Sequence, residues 1–286
     1  MDAAPTLARR FWEAIEPIHA VVYFAPETTE ASNALGLRGF WMGYFAARVA
    51  PLGPLNAEPV TAMTFGFRPG MVARAIPDAW ARATPAAVLE TRVRVATELL
   101  CRYTARRFTR ELAELAELLA TAVDGCRFEG RPLAAGWASV PVPDDVVTRV
   151  WLATTVLREH RGDGHVLAAV SLGLRGIDAV LTHVATGVVS RERMQPTRGW
   201  TDDEWDRAVR RLEARGLLDR DGRLTKSGGA LRRELEATTD RLAAGPVERL
   251  GSTGIERAIA LAAPISRHLI DAGAVPVPNP IGAPRP

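Results

Sequence analysis

The sequence has few cysteines and no long apolar segment. Among 286 residues only Cys101 and Cys126 are cysteines, too few for a disulfide framework and without metal-ligand spacing between them. No apolar run approaches the roughly 20 residues that cross a bilayer. Charges also interrupt the stretch MDAAPTLARRFWEAIEP, where a signal peptide needs an unbroken apolar region. We therefore expect a protein of the reducing cytoplasm with no membrane partner.

The sequence also lacks the short motifs that identify many enzymes. It contains no glycine-rich phosphate loop, no G-x-S-x-G turn, no H-E-x-x-H helix and no dinucleotide-binding fingerprint. Each of these patterns supplies a nucleophile, metal ligands or a phosphate cradle. Because none is present, no motif identifies a nucleophile with its base, and the sequence leaves open whether the protein is an enzyme.

Charge of one sign is not in large excess. The 36 Lys and Arg residues, nearly all of them arginine, are almost balanced by 33 Asp and Glu residues, giving a formal net charge of +3. A protein that binds nucleic acid through electrostatics alone carries a larger basic excess. Hydrophobic residues make up 47% and charged residues 24%, as in ordinary globular proteins, so we expect a sizeable core.

Most of the chain has the periodicity of helices. Apolar residues recur at three- and four-residue intervals over 85–123, which predicts two consecutive helices. Pro17 is expected to interrupt the first helix of the chain. A further helix is expected to begin after Pro143 and to end at Gly162. These patterns predict a mainly α fold.

An internal repeat divides the chain into two halves. LGLRG occurs at 35–39 and again at 172–176, each time before a helical pattern. A true duplication would give a monomer with pseudo-two-fold symmetry, whereas a chance match leaves a homodimer as the alternative. We predict a helical domain over 1–135, which under duplication is a divergent copy of the second domain over 140–272, and a proline-rich flexible tail over 273–286.

Residues 199–235 carry the most specific motif. Thr201 followed by Glu204 is a capping box at the start of a helix. The next segment, 217–225, predicts a β-hairpin that turns at Asp221 and Gly222, and another helix follows. Helix, hairpin and helix in this order form the winged-helix pattern.

The run RGLLDRDGRLTKSGG resembles the recognition helix and wing of MarR-type regulators. Together with EPIHAVVYFAPE, LGLRGFWMGYFA and LREHRGDGHV, it makes the chain similar to an actinobacterial family of MarR-like winged-helix proteins. The resemblance implies a MarR-like winged helix-turn-helix in the C-terminal half, with one β-hairpin wing and earlier helices at 146–158 and 165–171. It implies a fold and no reaction.

The recognition helix would present acids to DNA. Its first turn, TDDEWD at 201–206, holds four carboxylates, whereas Lys, Arg, Asn and Gln are the usual readers of the major groove. The acids are also explained as favourable charges at a helix start. A ligand-responsive MarR-type regulator therefore stays an alternative, and its DNA-binding residues would be Arg207, Arg210, Arg211, Arg220 and Arg223.

A first polar motif lies in EPIHAVVYF. Glu16, His19 and Tyr23 fall at helical spacing on one face. A carboxylate that orients an imidazole prepares a general base or a metal ligand. The alternative is a kinked helix with a surface glutamate and a core histidine.

A second polar motif is LREHRGDGHV at 157–166. Its glycines and Asp163 predict a turn between two helices, with Asp163 as the cap of the second helix. A loop with His160, Asp163 and His165 could bind a divalent metal, although the spacing matches no established ligand pattern. Arginine in the same loop could instead hold a substrate carboxylate.

We predict that the two motifs face each other across a polar pocket between the halves, where a small molecule or a metal binds, with catalysis left open. The catalytic candidates are Glu16, His19 and His165. The ligand-binding candidates are Tyr23, Trp41, Tyr44, Arg158, His160, Arg161, Asp163 and His183. Because His183 lies on an apolar helix, a core role is its alternative. The cofactor is unknown, and the divalent metal at His160, Asp163 and His165 is the one alternative that the residues suggest.

Overall fold

The protein is represented by a computed structural model that describes residues 6–104, 107–283 and 285–286. Over these ranges the chain forms fourteen α-helices and two short 3₁₀ turns, Ala50–Leu52 and Asp78–Ala81, and no strand. The helices are α1 Leu7–Phe24, α2 Pro26–Ala34, α3 Gly39–Val49, α4 Ala57–Met63, α5 Pro69–Ala73, α6 Pro85–Thr104, α7 Thr109–Val123, α8 Pro132–Ala138, α9 Val146–Ser171, α10 Gly176–Val184, α11 Arg191–Arg198, α12 Asp202–Ala214, α13 Lys226–Leu242 and α14 Ala244–Asp271. The predicted all-helical character is confirmed.

Helix α9 is the central helix of the fold. It packs against α1, α6, α7, α8 and α13. Asp145 caps its start by accepting a hydrogen bond from the backbone N–H of Thr148 at 2.7 Å. The prediction that this helix ends at Gly162 is wrong, because α9 continues through 157–166 to Ser171. A glycine inside a helix costs about 1 kcal/mol, which packing on several sides outweighs. Asp163 is therefore not a helix cap.

Helix α1 also continues where an interruption was predicted. Pro17 lies inside it, and the helix extends to Phe24. Nearly every residue from Ala14 to Tyr23 is buried, since α1 packs against α14 on one side and α9 and α6 on others. Burial of this apolar face holds the helix together at the proline, which removes one backbone hydrogen bond.

Residues 176–225 contain a unit of three helices, α10, α11 and α12. Helices α11 and α12 are joined by a three-residue turn that starts at Gly199, and α10 packs beside α12. The unit encloses an apolar cluster around Trp205, which is 2% exposed. The earlier helices of the unit are therefore α10 and α11, whereas the predicted 146–158 and 165–171 segments both belong to α9.

The predicted β-hairpin wing is not confirmed. Over 217–225 the structure shows one isolated antiparallel bridge, between Leu218 and Leu224. The chain does reverse there, because the N–H of Asp219 donates to the carbonyl of Arg223 at 2.9 Å. Thr225 then immediately caps α13, so the segment is too short for two strands.

The two LGLRG copies share a glycine turn at their second residue but differ at their last, because Gly39 has a positive φ of 71° and Gly176 does not. Gly36 and Gly173 adopt positive φ angles of 84° and 67° at the ends of α2 and α9, and the following Leu37 and Leu174 are buried. This is the common glycine turn that ends helices. Helix α11 also ends on such a glycine, so this turn by itself does not require duplication. The pseudo-two-fold relation and the domain boundaries stay predictions.

The tail over 273–286 contacts the body of the protein. Asn279 is 3% exposed, and its side chain bonds the carbonyls of Pro276 and Ala283. Arg198 on α11 donates to the carbonyl of Pro280 at 2.9 Å. The predicted flexibility of the tail stays a prediction, although these contacts fix its described path.

No single helix within the described ranges is long and apolar enough to cross a bilayer. The bent pair of α9 and α10 meets the length and composition requirement only when its members are taken together.

Candidate functional site

An ionic network lies at the centre of the molecule. Arg48 on α3 donates to both carboxylate oxygens of Glu159 on α9, at 2.9 and 2.8 Å. Arg158 Nη1 lies 2.9 Å from Oε2 of the same carboxylate, although it is not aligned for a hydrogen bond. The Glu159 side chain is 0% exposed. Burial favours a raised pKa for Glu159, but the charges of Arg158 and Arg48 hold it well below its usual range.

Glu16 joins this network from α1. Its Oε1 lies 3.6 Å from Nε of Arg158, and its Oε2 accepts a hydrogen bond from Nε1 of Trp12 at 2.9 Å. Burial raises the pKa of Glu16, and Arg158 only partly offsets that rise. The predicted role of Glu16 as the partner of His19 is not what the structure shows, because Glu16 pairs with Arg158 and Trp12.

His19 and Tyr23 are brought together as a hydrogen-bonded pair. His19 Nε2 lies 2.9 Å from the Tyr23 hydroxyl, and Nδ1 lies 2.9 Å from Oγ1 of Thr155. Burial lowers the pKa of His19 well below its ordinary value, and the charges of Arg158 and Arg92 lower it further. The imidazole is therefore neutral near pH 7. Burial also raises the pKa of Tyr23, so the neutral imidazole and the phenol share a hydrogen bond.

Aromatic rings form one wall beside this network. Trp41, Tyr44 and Phe67 contact one another, with ring centroids 5.5 to 5.6 Å apart. The Tyr44 hydroxyl accepts a hydrogen bond from Nη1 of Arg48 at 3.3 Å. Burial favours a raised pKa for Tyr44, but the surrounding arginines, Arg48 first, lower it overall. The guanidinium carbon of Arg198 lies 4.7 Å from the centroid of the Phe67 ring, at the edge of this aromatic wall.

A narrow cleft reaches the network from the surface between α1, α2, α3 and α6. It has a volume of about 10 Å³, room for about one water and far below the roughly 300–1,000 Å³ of most small-molecule pockets. Tyr23, Tyr44, Arg92, Thr28 and Phe40 are among the residues that line it. The cleft therefore gives access to the same phenols that contact His19 and Arg48.

Positive charge exceeds negative charge at this centre. The buried or nearly buried groups are the guanidinium groups of Arg48, Arg92, Arg158 and Arg198 and the carboxyl groups of Glu16 and Glu159. The four guanidinium groups therefore outnumber the two carboxyl groups, and this excess of positive charge favours the approach of an anion.

Four of these residues were not among the predicted site residues: Glu159, Arg48, Arg92 and Arg198. Glu159 lies within the LREHRGDGHV motif, and Arg48 is the only charged residue of α3, GFWMGYFAARV. A lone arginine in an apolar helix is the signal that could have identified Arg48, because such a charge needs a buried partner.

His165 lies in a second polar cluster, beside α13. Its Nδ1 is 3.1 Å from Oγ1 of Thr239, whereas His19 bonds Thr155, which precedes His165 by ten residues on α9. Ten helical residues span roughly 15 Å, and no contact among the described residues joins the two histidines. Nearby, Arg161 donates to Asp240 at 2.6 Å. The structure therefore brings His19 together with Tyr23 and places His165 elsewhere.

Burial lowers the pKa of both His165 and His183 to about 4. The charges of Arg232 and Glu236 on α13 act on both imidazoles, so His183, on α10, belongs to the same cluster as His165. His183 is thus neither in the first network nor surrounded by apolar groups alone.

The three residues considered for a metal have other partners. His160 Nε2 accepts from the backbone N–H of Arg127 at 3.3 Å, and Asp163 accepts from that of Ala134 at 3.0 Å. Burial lowers the pKa of His160 to about 4 and raises that of Asp163 to about 6. The part of the chain that the structure describes contains no group of three or more His, Cys, Asp or Glu side chains that could hold a metal ion.

The arginines considered for DNA contact lie on α12 and the following turn. Arg207, Arg210 and Arg220 are exposed, and no ion pair involves them among the described residues. Arg211 forms an ion pair with the buried Asp178, which indicates a structural role. Arg223 pairs with its neighbour Asp221 at 2.8 Å, and both are exposed.

The first turn of α12 is fastened to the rest of the chain. Glu204 completes the predicted capping box with Thr201, which is confirmed, and also pairs with Arg68 at 2.8 Å. Just before the helix, Nε1 of Trp200 donates to the carbonyl of Gly66 at 2.9 Å. The loop that carries Gly66 and Arg68 therefore fixes the turn between α11 and α12 and the start of α12.

Comparison with known proteins gives one finding. A family model described as a helix-turn-helix family matches residues 8–276, which is nearly the whole chain. Curated proteins and solved structures yield no match.

Proposed function

The chain belongs to this helix-turn-helix family, and from that premise we propose that it is a small-molecule-binding protein whose site is the buried network around Glu159. One observation carries the proposal: Arg48, Glu159 and Arg158 form an ionic cluster with almost no exposure, and the polar groups of His19 and Tyr44 adjoin it. A buried ion pair of this kind stabilises a fold no better than apolar packing. A role in holding a ligand accounts for its presence.

The surroundings support the same proposal. Aromatic rings and a few convergent polar groups line most small-molecule sites. Here Phe40, Tyr23 and Tyr44 supply rings to the lining of the cleft, and Tyr23 and Tyr44 also carry hydroxyl groups. His19, held neutral, and Tyr23 are the groups we assign to any proton transfer on the ligand.

A second candidate is a ligand-responsive DNA-binding regulator of MarR type. Membership of a helix-turn-helix family is compatible with it, as is the likeness of 199–235 to actinobacterial MarR-like proteins. The exposed Arg207, Arg210 and Arg220 favour it, because arginines contact DNA phosphates. The exposed Asp202 and Asp203 at the start of α12 oppose it, since they would face the same phosphates.

The experiment that tests the proposal measures the melting temperature of the protein against a panel of organic acids, amines, sugars and aromatic alcohols. We expect a class of compounds that raises the melting temperature of the wild type in a saturable way and fails to do so for Tyr44→Phe. Tyr103→Phe is the matched control, because Tyr103 lies outside the network and should leave the response unchanged.

A parallel titration measures fluorescence anisotropy of labelled DNA from the protein's own upstream region. Sequence-specific binding that falls steeply with salt, together with no compound that stabilises the protein, would replace the proposal with the regulator. Weak binding that is independent of DNA sequence would leave the small-molecule proposal in place.

A further inference from the structure

A chain of hydrogen bonds joins α6, α1 and α9 through the side chain of His19. Arg92 Nη2 donates to the Tyr23 hydroxyl at 3.3 Å, and that hydroxyl lies 2.9 Å from Nε2 of His19. On the other side of the ring, Nδ1 lies 2.9 Å from Oγ1 of Thr155, and this hydroxyl donates to the carbonyl of Trp151 at 2.8 Å. Each ring nitrogen therefore has a hydroxyl partner, and each hydroxyl has a second partner of its own.

The direction of these hydrogen bonds follows from the number of protons in the chain. A guanidinium group only donates, so the Tyr23 oxygen accepts from Arg92. A threonine hydroxyl has one proton. Since Thr155 uses that proton on the carbonyl of Trp151, its oxygen must accept from Nδ1–H of His19. Because the imidazole is neutral, Nε2 then carries no proton and accepts the one proton of the Tyr23 hydroxyl.

The other tautomer of His19 fits the same partners less well. If Nε2 carried the proton, the Tyr23 oxygen would accept from both Nε2 and Arg92, and the Tyr23 proton would have no acceptor among the described residues. A buried donor without an acceptor is costly. The ring also has little freedom to turn over, because the indole of Trp151 stacks on it with the two planes 12° apart.

We propose that Thr155 is a positioning residue that fixes His19 as the Nδ1–H tautomer and thereby sets the hydrogen-bond role of Tyr23. With its one proton held by Nε2 of His19, the Tyr23 hydroxyl can only accept a further hydrogen bond. Toward the cleft that it lines, Tyr23 therefore offers a lone pair and no donor. The inference rests on the proposed function only in that it states the roles of these two residues in the proposed site.

The test is the long-range ¹H–¹⁵N correlation spectrum of the full chain with ¹⁵N-labelled histidine, which shows which nitrogen of each neutral imidazole carries the proton. Glutamine substitutions of the other histidines, one at a time, identify the His19 signals by elimination. We expect the Nδ1–H form of His19 to outnumber the Nε2–H form at least about tenfold in the wild type, because the second form leaves a buried donor unsatisfied. A wild-type spectrum dominated by the Nε2–H form would overturn the inference without any variant.

Three variants show whether Thr155 is responsible. Thr155→Val keeps the shape of the side chain and removes the acceptor of Nδ1–H, so Nε2–H should become the major form. The proton of Tyr23 can then turn to the space for about one water that Tyr23 borders, whereas His19 and Thr155 are both 0% exposed. Thr155→Ser keeps the hydroxyl and should keep the Nδ1–H form. Thr154→Val is the matched control, because Thr154 is also 0% exposed and also donates to the carbonyl of Trp151 at 2.8 Å, but it forms no hydrogen bond with His19.

An unchanged tautomer in Thr155→Val, the same change in Thr154→Val, or loss of the Nδ1–H form in Thr155→Ser would overturn the inference. Failure of the proposed function is distinguishable from these results, because the spectra need no ligand. If no compound of the panel stabilises the wild type while the tautomer of His19 follows Thr155 as expected, the positioning role holds and ligand binding fails.

Discussion

The buried carboxylate of Glu159 should be worth far more to stability than an exposed one of the same geometry. In Glu159→Gln the side chain keeps its size but loses its charge, so Arg48 loses its carboxylate partner and Arg158 keeps only Glu16, 3.6 Å away. Removing one member of a buried ion pair costs about 3–5 kcal/mol of the free energy of unfolding. We expect the variant to fall in this range or to fail to fold.

The chain contains a matched control for this prediction. Arg257 also binds Glu114 through two hydrogen bonds, each of 2.6 Å, but both side chains are about half exposed. Because water screens such a pair, Glu114→Gln should leave the free energy of unfolding nearly unchanged. The comparison separates the effect of burial from the effect of bidentate geometry.

Urea unfolding followed by circular dichroism measures both variants. A double variant, Arg48→Met with Glu159→Gln, should recover part of the lost free energy of unfolding, because it removes a buried cation that has no carboxylate partner in Glu159→Gln. If Glu159→Gln costs no more than Glu114→Gln, the network is not the tightly coupled cluster that its distances indicate, and the reasoning from burial fails.

Two further predictions concern the pH dependence of stability and the space available for a side chain at Gly228. The imidazoles of His160, His165 and His183 have pKa values lowered to about 4 by burial. Between about pH 4 and about pH 6.5 the folded protein therefore binds fewer protons than the unfolded chain. The contribution of the three neutral imidazoles to the free energy of unfolding is fully present above about pH 6.5 and is lost as the pH falls toward about 4. The loss is about 1–2 kcal/mol for each histidine by about pH 5. Asp163, whose pKa is raised to about 6, offsets part of this loss. A urea midpoint that is higher at pH 5 than at pH 7 would contradict the predicted loss of stability. For backbone space, a Cβ on Gly228 would lie 2.0 Å from a carbonyl oxygen, whereas one on Gly229 meets only the end of a flexible side chain. Gly228→Ala should therefore lower the melting temperature and Gly229→Ala should not, and equal effects would show that the close approach is relieved at no cost.

Local patterns predicted local structure well. The capping box of Thr201 and Glu204 is confirmed because both of its hydrogen bonds form within four residues. The sequence also predicts the reversal of the chain at Asp221 and Gly222, although the reversal produces one isolated β-bridge there and no strands. In each case the deciding interactions lie within a few positions of the chain.

Tertiary packing decided the rest. Pro17 and Gly162 are ordinary helix-ending residues, yet both lie inside continuous helices, because α1 and α9 are buried on several sides. The partner of Glu159 could not be predicted, since Arg48 is 111 residues away in the chain. The sequence singled out the motif that contains Glu159 but not the arginine on α3 that pairs with it.

The most direct test of the proposed ligand site is the ring ¹⁵N NMR spectrum of the protein with labelled histidine, recorded as a stabilising compound is added. His19 bonds the hydroxyl of Tyr23, which lines the cleft, whereas His268 bonds the backbone carbonyl of Tyr103, and neither of these two residues lines it. The account predicts that the His19 signals move in proportion to occupancy while those of His268 stay unchanged. Saturation of the compound with no change at His19 would contradict it.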